Sequence, residues 1–319
     1  MLTDIVLQVK NNQFLSVRSY IGGMILVNRK VELFAVDGMT VEYSLMGEGD
    51  PILIFHGGHS NCFEEFGYQA LIENGYQLIT PSRAGYGRTS KEIGESLTIA
   101  CKYYRKLVEH LQFKQVHVIA ISAGGPTGIR FASLYPEKVK SLTLESAVSR
   151  EWLTPKDMEY KAAHIIFRPG VEVFTWKMLS KFSSLFPKVM FNMMASQFST
   201  LKKQELNERV GEEDVIEFQK MNGRQRSGQG FLIDMNQSKE LTEEDLKSIA
   251  SPTLIMHSKN DGFISQEHPQ YALEKITDSE LYFVDSWGHL IWIGKFSLER
   301  DEKLITFLQS NPIGKMEKI

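Results

Sequence analysis

Cysteine is nearly absent. Cys62 and Cys101 are the only two in 319 residues; they lie far apart with no C-x-x-C pairing, which argues against a disulfide scaffold or a thiolate metal site. Long apolar runs are also missing. No stretch approaches 18 apolar residues, so no membrane span is expected, and Met1-Leu2-Thr3-Asp4 lacks the basic and apolar regions that export machinery reads. Reduced cysteines and no export signal set the expectation of a cytoplasmic protein. Basic charge is not in excess: 36 Lys+Arg against 39 Asp+Glu gives −3, without the positive field that phosphate-backbone binding requires, so nucleic acid is not an expected partner. The eight histidines form neither H-E-x-x-H nor a sequence cluster with Cys, Asp or Glu, and Gly85-x-Gly87 lacks the third glycine of a dinucleotide turn. No metal and no cofactor is expected.

What is present is an ordinary globular composition, 42% hydrophobic with 24 glycines, long enough for two domains or one large α/β domain with an insertion. Short β-rich runs fall at 31–36, 40–46, 51–55, 77–80, 115–121, 139–144, 253–257 and 280–284. They alternate with segments of helical period, the pattern of a mostly parallel eight-stranded sheet flanked by helices. Over 97–111, Leu97, Ala100, Cys101, Tyr104, Leu107, Val108 and Leu111 recur at helical spacing behind a Ser96 cap, which puts Cys101 on a core face. A second helix is predicted over 123–134, ended by Tyr135-Pro136.

From 149 to 241 the strand rhythm stops and helical pattern takes over, with starts signalled at Thr154-Pro155 and Glu212-Glu213-Asp214. The chain therefore divides into an extension of unassigned role (1–30), an α/β core (31–148 and 242–319) and an inserted all-helical cap (149–241). The extension carries turn signals at Lys10-Asn11-Asn12 and Gly22-Gly23. The cap holds seven of the thirteen methionines and eight phenylalanines, suited either to an adaptable apolar pocket wall or to the cap's own packing.

The strongest chemical signal is Val116-His117-Val118-Ile119-Ala120-Ile121-Ser122-Ala123-Gly124-Gly125: a strand, a serine among small residues, then a helix. Such a turn holds its serine strained with Oγ exposed, provided the flanking side chains let strand and helix approach. Two later strand-loop segments end in the partners that activate a serine. The loop after 253–257 presents Asp261, suited to accept the Nδ1–H of a histidine; the loop after 280–284 presents His289 behind Gly288, suited to take the Ser122 proton. Asp285 and Glu145 are rival acids. His56-Gly57-Gly58-His59, directly after an apolar strand, offers Gly58 N–H to pair with Ala123 N–H as an oxyanion hole.

In these features the chain resembles the α/β-hydrolase superfamily, of the kind with a helical cap inserted after the sixth core strand. The resemblance covers about 31–311 and rests on His56-Gly57-Gly58, the Ser82-Arg83-Ala84-Gly85-Tyr86-Gly87-Arg88-Thr89-Ser90 loop, the Ser122 elbow, Tyr135-Pro136-Glu137, Asp261 and His289 in order. Ala120 stands where the elbow usually has its first glycine, and Ser82 where an Asp is common. The resemblance implies a serine hydrolase of the carboxylesterase kind, and the methionine- and aromatic-rich cap sets the expectation of an ester or thioester of a small to medium apolar acid. Amide cleavage, carbon–carbon hydrolysis and peroxyacid formation are alternatives within the fold, and a low-turnover ligand-binding protein is an alternative outside enzymology.

Overall fold

A computed structural model describes residues 19–21, 24–26, 28–294 and 296–314. Its centre is one eight-stranded sheet: β1 (Lys30–Val36), β2 (Met39–Met46), β3 (Asp50–Phe55), β4 (Tyr76–Pro81), β5 (Val116–Ile121), β6 (Val139–Glu145), β7 (Thr253–Ser258) and β8 (Ser279–Val284). All eight expected strands form, each within one residue of the expected bounds. The strand order is β8-β7-β6-β5-β3-β4-β2-β1; only the β1/β2 and β2/β4 pairs are antiparallel. Ser19–Ile21 pairs separately with Met24–Leu26 as an antiparallel ribbon, a pairing the sequence pattern did not signal. The turns expected at Lys10-Asn11-Asn12 and Gly22-Gly23 lie outside the described residues.

Both faces of the central strands are covered, which is why they read as unbroken apolar runs. Leu53 and Phe55 of β3 and Val118 and Ala120 of β5 pack into one core with helices α2 (Leu97–His110) and α3 (Gly125–Leu134). Their neighbours Ile52, Ile54, Ile119 and Ile121 enter a second core on the opposite face with α1 (Tyr68–Glu73) and the C-terminal helix Ser297–Ser310. Each such fully buried side chain is worth about 1.5–3 kcal/mol. Helix α2 starts where expected, Ser96 Oγ accepting the Ile99 N–H at 3.2 Å, and its apolar face is buried. Cys101 lies in that core and burial pushes its thiol up; Cys62 is pushed up to about 11 by the same cause, so neither is a ready thiolate.

Between β6 and β7 the chain forms helices and no strand, apart from an isolated bridge from Ser199 to Asp261. The helices are α4 (Met158–Ile166), α5 (Val171–Leu185), α6 (Pro187–Phe198), α7 (Lys203–Arg209), α8 (Glu212–Arg224) and α9 (Gly230–Gln237); α10 (Glu243–Lys247) then leads back into the sheet. Helix α8 starts at the acidic triplet. Thr154-Pro155 instead opens a turn, in which Thr154 N–H and Oγ1–H both bond the Asp157 carboxylate at 2.7 Å, and α4 begins after it.

Chain order changes direction between β3 and β5: the strand after β3 lies on one side of it, and β5 on the other. The loops that leave the carboxyl ends of these two strands therefore part, opening a crevice of the kind in which parallel sheets bind ligands. The Ser122 turn and the His56–His59 loop both start at that crevice.

Candidate active site

Ser122 follows the last residue of β5 with φ +50°, a left-handed conformation costly for any residue with a Cβ. The turn is held by close backbone approach on both sides. A Cβ on Gly124 would collide with the Phe55 carbonyl, and one on Gly125 with the Val148 carbonyl, while Val148 N–H bonds Ser122 O at 2.9 Å. Ala120 does not prevent the turn, because Gly128 of α3 faces it: a Cβ on Gly128 would overlap the Ala120 methyl. The missing elbow glycine is offset one helical turn away.

Asp261 and His289 come to the same corner. His289 Nε2 lies 3.0 Å from Ser122 Oγ, and His289 Nδ1 lies 2.7 Å from Asp261 Oδ2. All three residues are buried. Asp261 Oδ1 accepts the N–H groups of Phe263 and Ile264 at 2.8 Å each. Burial works against its ionisation, but His289, His257 and the Ile264 N–H outweigh it, so the carboxyl is held below its ordinary range. An ionised Asp261 accepts Nδ1–H and leaves the Nε2 lone pair facing the serine hydroxyl.

The loops that carry these two residues are joined by the helical insert. The Phe198 carbonyl at the end of α6 accepts both Gly262 N–H (3.2 Å) and His289 N–H (2.8 Å), and Thr200 N–H bonds Asn260 O at 2.9 Å. Gly288 has its reason here. It does not take a left-handed turn; a Cβ at that position would run into the Phe198 carbonyl.

The rival acids are spent elsewhere. Glu145 meets Arg300 Nη2 through both oxygens, at 2.5 and 2.6 Å, deep in the protein, and Asp285 is exposed and paired with Arg209 at 2.5 Å.

The His56–His59 loop closes the other side. A Cβ on Gly57 would stand 3.3 Å from Ser122 Cβ, and one on Gly58 would stand 3.6 Å from Ala123 Cβ, so the segment carrying Gly58 N–H lies beside the turn carrying Ala123 N–H. Gly58 N–H has no hydrogen-bond partner among the described residues. Buried groups fix this loop from below: His56 Nδ1–H donates to Gly57 O at 2.8 Å and Nε2 accepts Arg83 N–H at 2.9 Å, while Arg83 Nε–H donates to His56 O at 2.7 Å. Arg83 in turn pairs with Asp234 of α9, which also accepts from Tyr86 OH at 2.6 Å. Burial pushes Asp234 up while Arg83 and Tyr86 oppose it, and burial holds His56 well below its usual range, so the ring is neutral. Ser82 donates to Glu42 at 2.9 Å, a carboxylate supplied from β2.

His59 takes φ +61° with its ring against Phe231, Phe167 and Trp176, and its Nδ1 lies 2.7 Å from Ser227 Oγ. Burial pushes it down to about 3. A lone loop histidine gave no sign of this in the sequence, and neither did Asp234, because its partner Arg83 is 151 positions away. The quoted Arg83 loop was the one available signal.

Aromatic rings lie beside Gly58 and His289. Phe231 stands 3.0 Å from where a Gly58 Cβ would be; Trp152 links Phe231 to Phe263, and Phe263 and Phe198 lie beside the His289 ring. Of the methionines in the insert, Met190, Met221 and Met235 are buried in hydrophobic packing, and Met158, Met178 and Met193 are exposed. Among the described residues no group of three or more His, Cys, Asp or Glu is arranged to hold a metal ion.

Residues 50–296 match the family model described as alpha/beta hydrolase fold. The chain belongs to this family. It is 56% identical over 284 residues to the Bacillus subtilis protein named "Uncharacterized hydrolase YcgS", covering 89% of this chain and all of that one. A Metapseudomonas resinovorans protein named 2-hydroxy-6-oxo-6-(2'-aminophenyl)hexa-2,4-dienoic acid hydrolase is 23% identical over 79% of this chain and 82% of its own. Among solved structures, an alpha/beta hydrolase fold protein from Nakamurella multipartita superposes with a TM-score of 0.73 at 22% identity, covering 89% of this α/β hydrolase and all of that chain. No helix among the described residues of this α/β hydrolase is long and apolar enough to cross a membrane.

Proposed function

We propose that this α/β hydrolase is a serine hydrolase that cleaves an ester or thioester of a small to medium apolar acid. The observation that carries the reading is the unbroken contact from Asp261 through His289 to Ser122 Oγ, with the serine in a left-handed elbow. In this reading His289 Nε2 takes the Ser122 proton as Oγ bonds to the acyl carbon. The resulting oxyanion accepts Gly58 N–H and Ala123 N–H, each donor worth about 3 kcal/mol of barrier. Collapse breaks the bond to the alcohol or thiol, which leaves with the proton held by His289. Water then gives a proton to His289 and attacks the acyl carbon, the acid departs, and Ser122 regains its hydrogen. Asp261 stays ionised throughout.

The aromatic residues Phe231, Trp152, Phe263 and Phe198 support an apolar acyl group, and the helices over 149–241 act as the cap that carries three of them. A fluorophosphonate probe should label wild type and fail to label Ser122→Ala; a panel of aryl esters should favour apolar acyl chains over short polar ones. Unlabelled wild type would favour a ligand-binding protein instead. A second reading, hydrolysis of a carbon–carbon bond, is favoured by the name of the Metapseudomonas resinovorans relative. Turnover of a dienoic acid of that kind faster than any ester in the panel would select it.

A further inference from the structure

Helices α5 and α6 are apolar on two opposite faces. Trp176 of α5 and Met190, Phe191 and Ala195 of α6 face inward and are buried. On the outer face of α5, Phe174, Met178 and Leu185 follow helical spacing and are open to solvent, Phe174 by 67% and Leu185 by 61%. Phe186, Val189 and Met193 do the same along α6, Met193 by 63%, and the rings of Phe182 and Phe186 stand 5.2 Å apart where the two rows meet. A helix apolar on all sides belongs in a core or against lipid, and a contiguous exposed row of this kind marks an interaction surface.

The charges beside the rows favour one occupant. From 171 to 198 the charged residues are Lys177, Lys181, Lys188, which is paired with Glu212 of α8, and a single carboxylate, Glu172. Glu172 is buried and accepts the Ser227 N–H, whereas Lys177 and Lys181 are exposed on α5 with no ion-pair partner among the described residues. In a two-fold pairing through the outer face of α5, that face would offer Lys177 and Lys181 no carboxylate, because the one acid of α5, Glu172, is buried. Large apolar side chains flanked by unpaired lysines match the boundary of an anionic bilayer.

We propose that the outer face of α5 and α6 docks this protein on the surface of an anionic membrane, without spanning it. The inference does not depend on the hydrolase reading. The full chain should float with vesicles of phosphatidylcholine and phosphatidylglycerol, and much less with phosphatidylcholine alone. Phe174→Asp with Met193→Asp should abolish flotation with circular dichroism unchanged, since both residues are exposed. Lys177→Gln with Lys181→Gln should weaken partition into the anionic vesicles by about fivefold for each lysine. Ser122→Ala should float like wild type. In the wild type, flotation without probe labelling refutes only the hydrolase reading, and labelling without flotation refutes only this one. Equal flotation with both vesicle types, or flotation untouched by the Asp substitutions, overturns the proposal. So does a wild-type dimer in light scattering that Phe174→Asp with Met193→Asp converts to monomer, because the occupant is then a second copy.

Discussion

Replacing Asp261 by asparagine should disable His289 while leaving its loop in place. Asp261 Oδ1 accepts two backbone N–H groups at 2.8 Å, and Oδ2 faces His289 Nδ1 at 2.7 Å. An asparagine in the same rotamer keeps those backbone donors satisfied only with its carbonyl in the Oδ1 position, which turns its NH2 toward the ring. The ring then accepts at Nδ1 and carries its proton on Nε2. Ser122 Oγ, 3.0 Å away, meets an N–H where it requires a lone pair. In a Ser-His-Asp hydrolase this wrong tautomer lowers kcat by about 10⁴, or about 5 kcal/mol of transition-state stabilisation. The assay is kcat on an activated apolar ester, with circular dichroism to establish folding. Asp285→Asn is the control: Asp285 sits beside His289 in sequence, yet it is exposed and bound to Arg209, so its rate should be nearly unchanged. A kcat for Asp261→Asn within about tenfold of wild type, against the loss of about 10⁴ expected, refutes the assignment. An equal loss in Asp285→Asn refutes it as well.

Gly288→Ala should lower kcat by about 10², the cost of displacing a reacting group by about 1 Å, because its Cβ pushes His289 away from the Phe198 carbonyl; unchanged kcat would show that the loop yields elsewhere. Arg300→Met strands the buried Glu145 carboxylate and should cost about 3–5 kcal/mol in urea unfolding, most of it recovered in Glu145→Leu with Arg300→Met. A single variant as stable as wild type would contradict the pairing. His117 and His268, buried and lowered to about 4 by that burial, bind protons in the unfolded chain from pH 6.5 downward but not in the folded one. Stability should therefore fall as pH drops from about 6.5 to 4, on the order of 3 kcal/mol for each histidine by the lower limit. A urea midpoint constant across that range would show that these rings are not held neutral.

Much of the architecture was legible because it rests on local patterning. Buried parallel strands must be apolar on both faces, so β3, β5 and β7 stand out as runs, and Ser96 opens α2 because a hydroxyl satisfies a free helix N–H. Residue type, position after a strand and order along the chain single out Ser122, Asp261 and His289 as candidates, but only folding brings the three side chains into contact. Sequence alone does not separate Asp261 from Asp285 and Glu145, as nothing local states where a carboxylate will find its cation.

The amino-acid order alone determined the alternation of strands and helices, the inserted helical stretch and the small residues on which a strained serine turn depends, since each follows from side-chain size and polarity within a few positions. Tertiary structure decided the rest. It joined Arg83 to Asp234 and Glu145 to Arg300, let Gly128 make room for the Ala120 methyl, used the Phe198 carbonyl to hold two loops together, and turned Phe174 and Met193 outward. Those outcomes depend on which surfaces meet across long stretches of chain, and pair contacts formed by folding leave no periodic trace in the segments that make them.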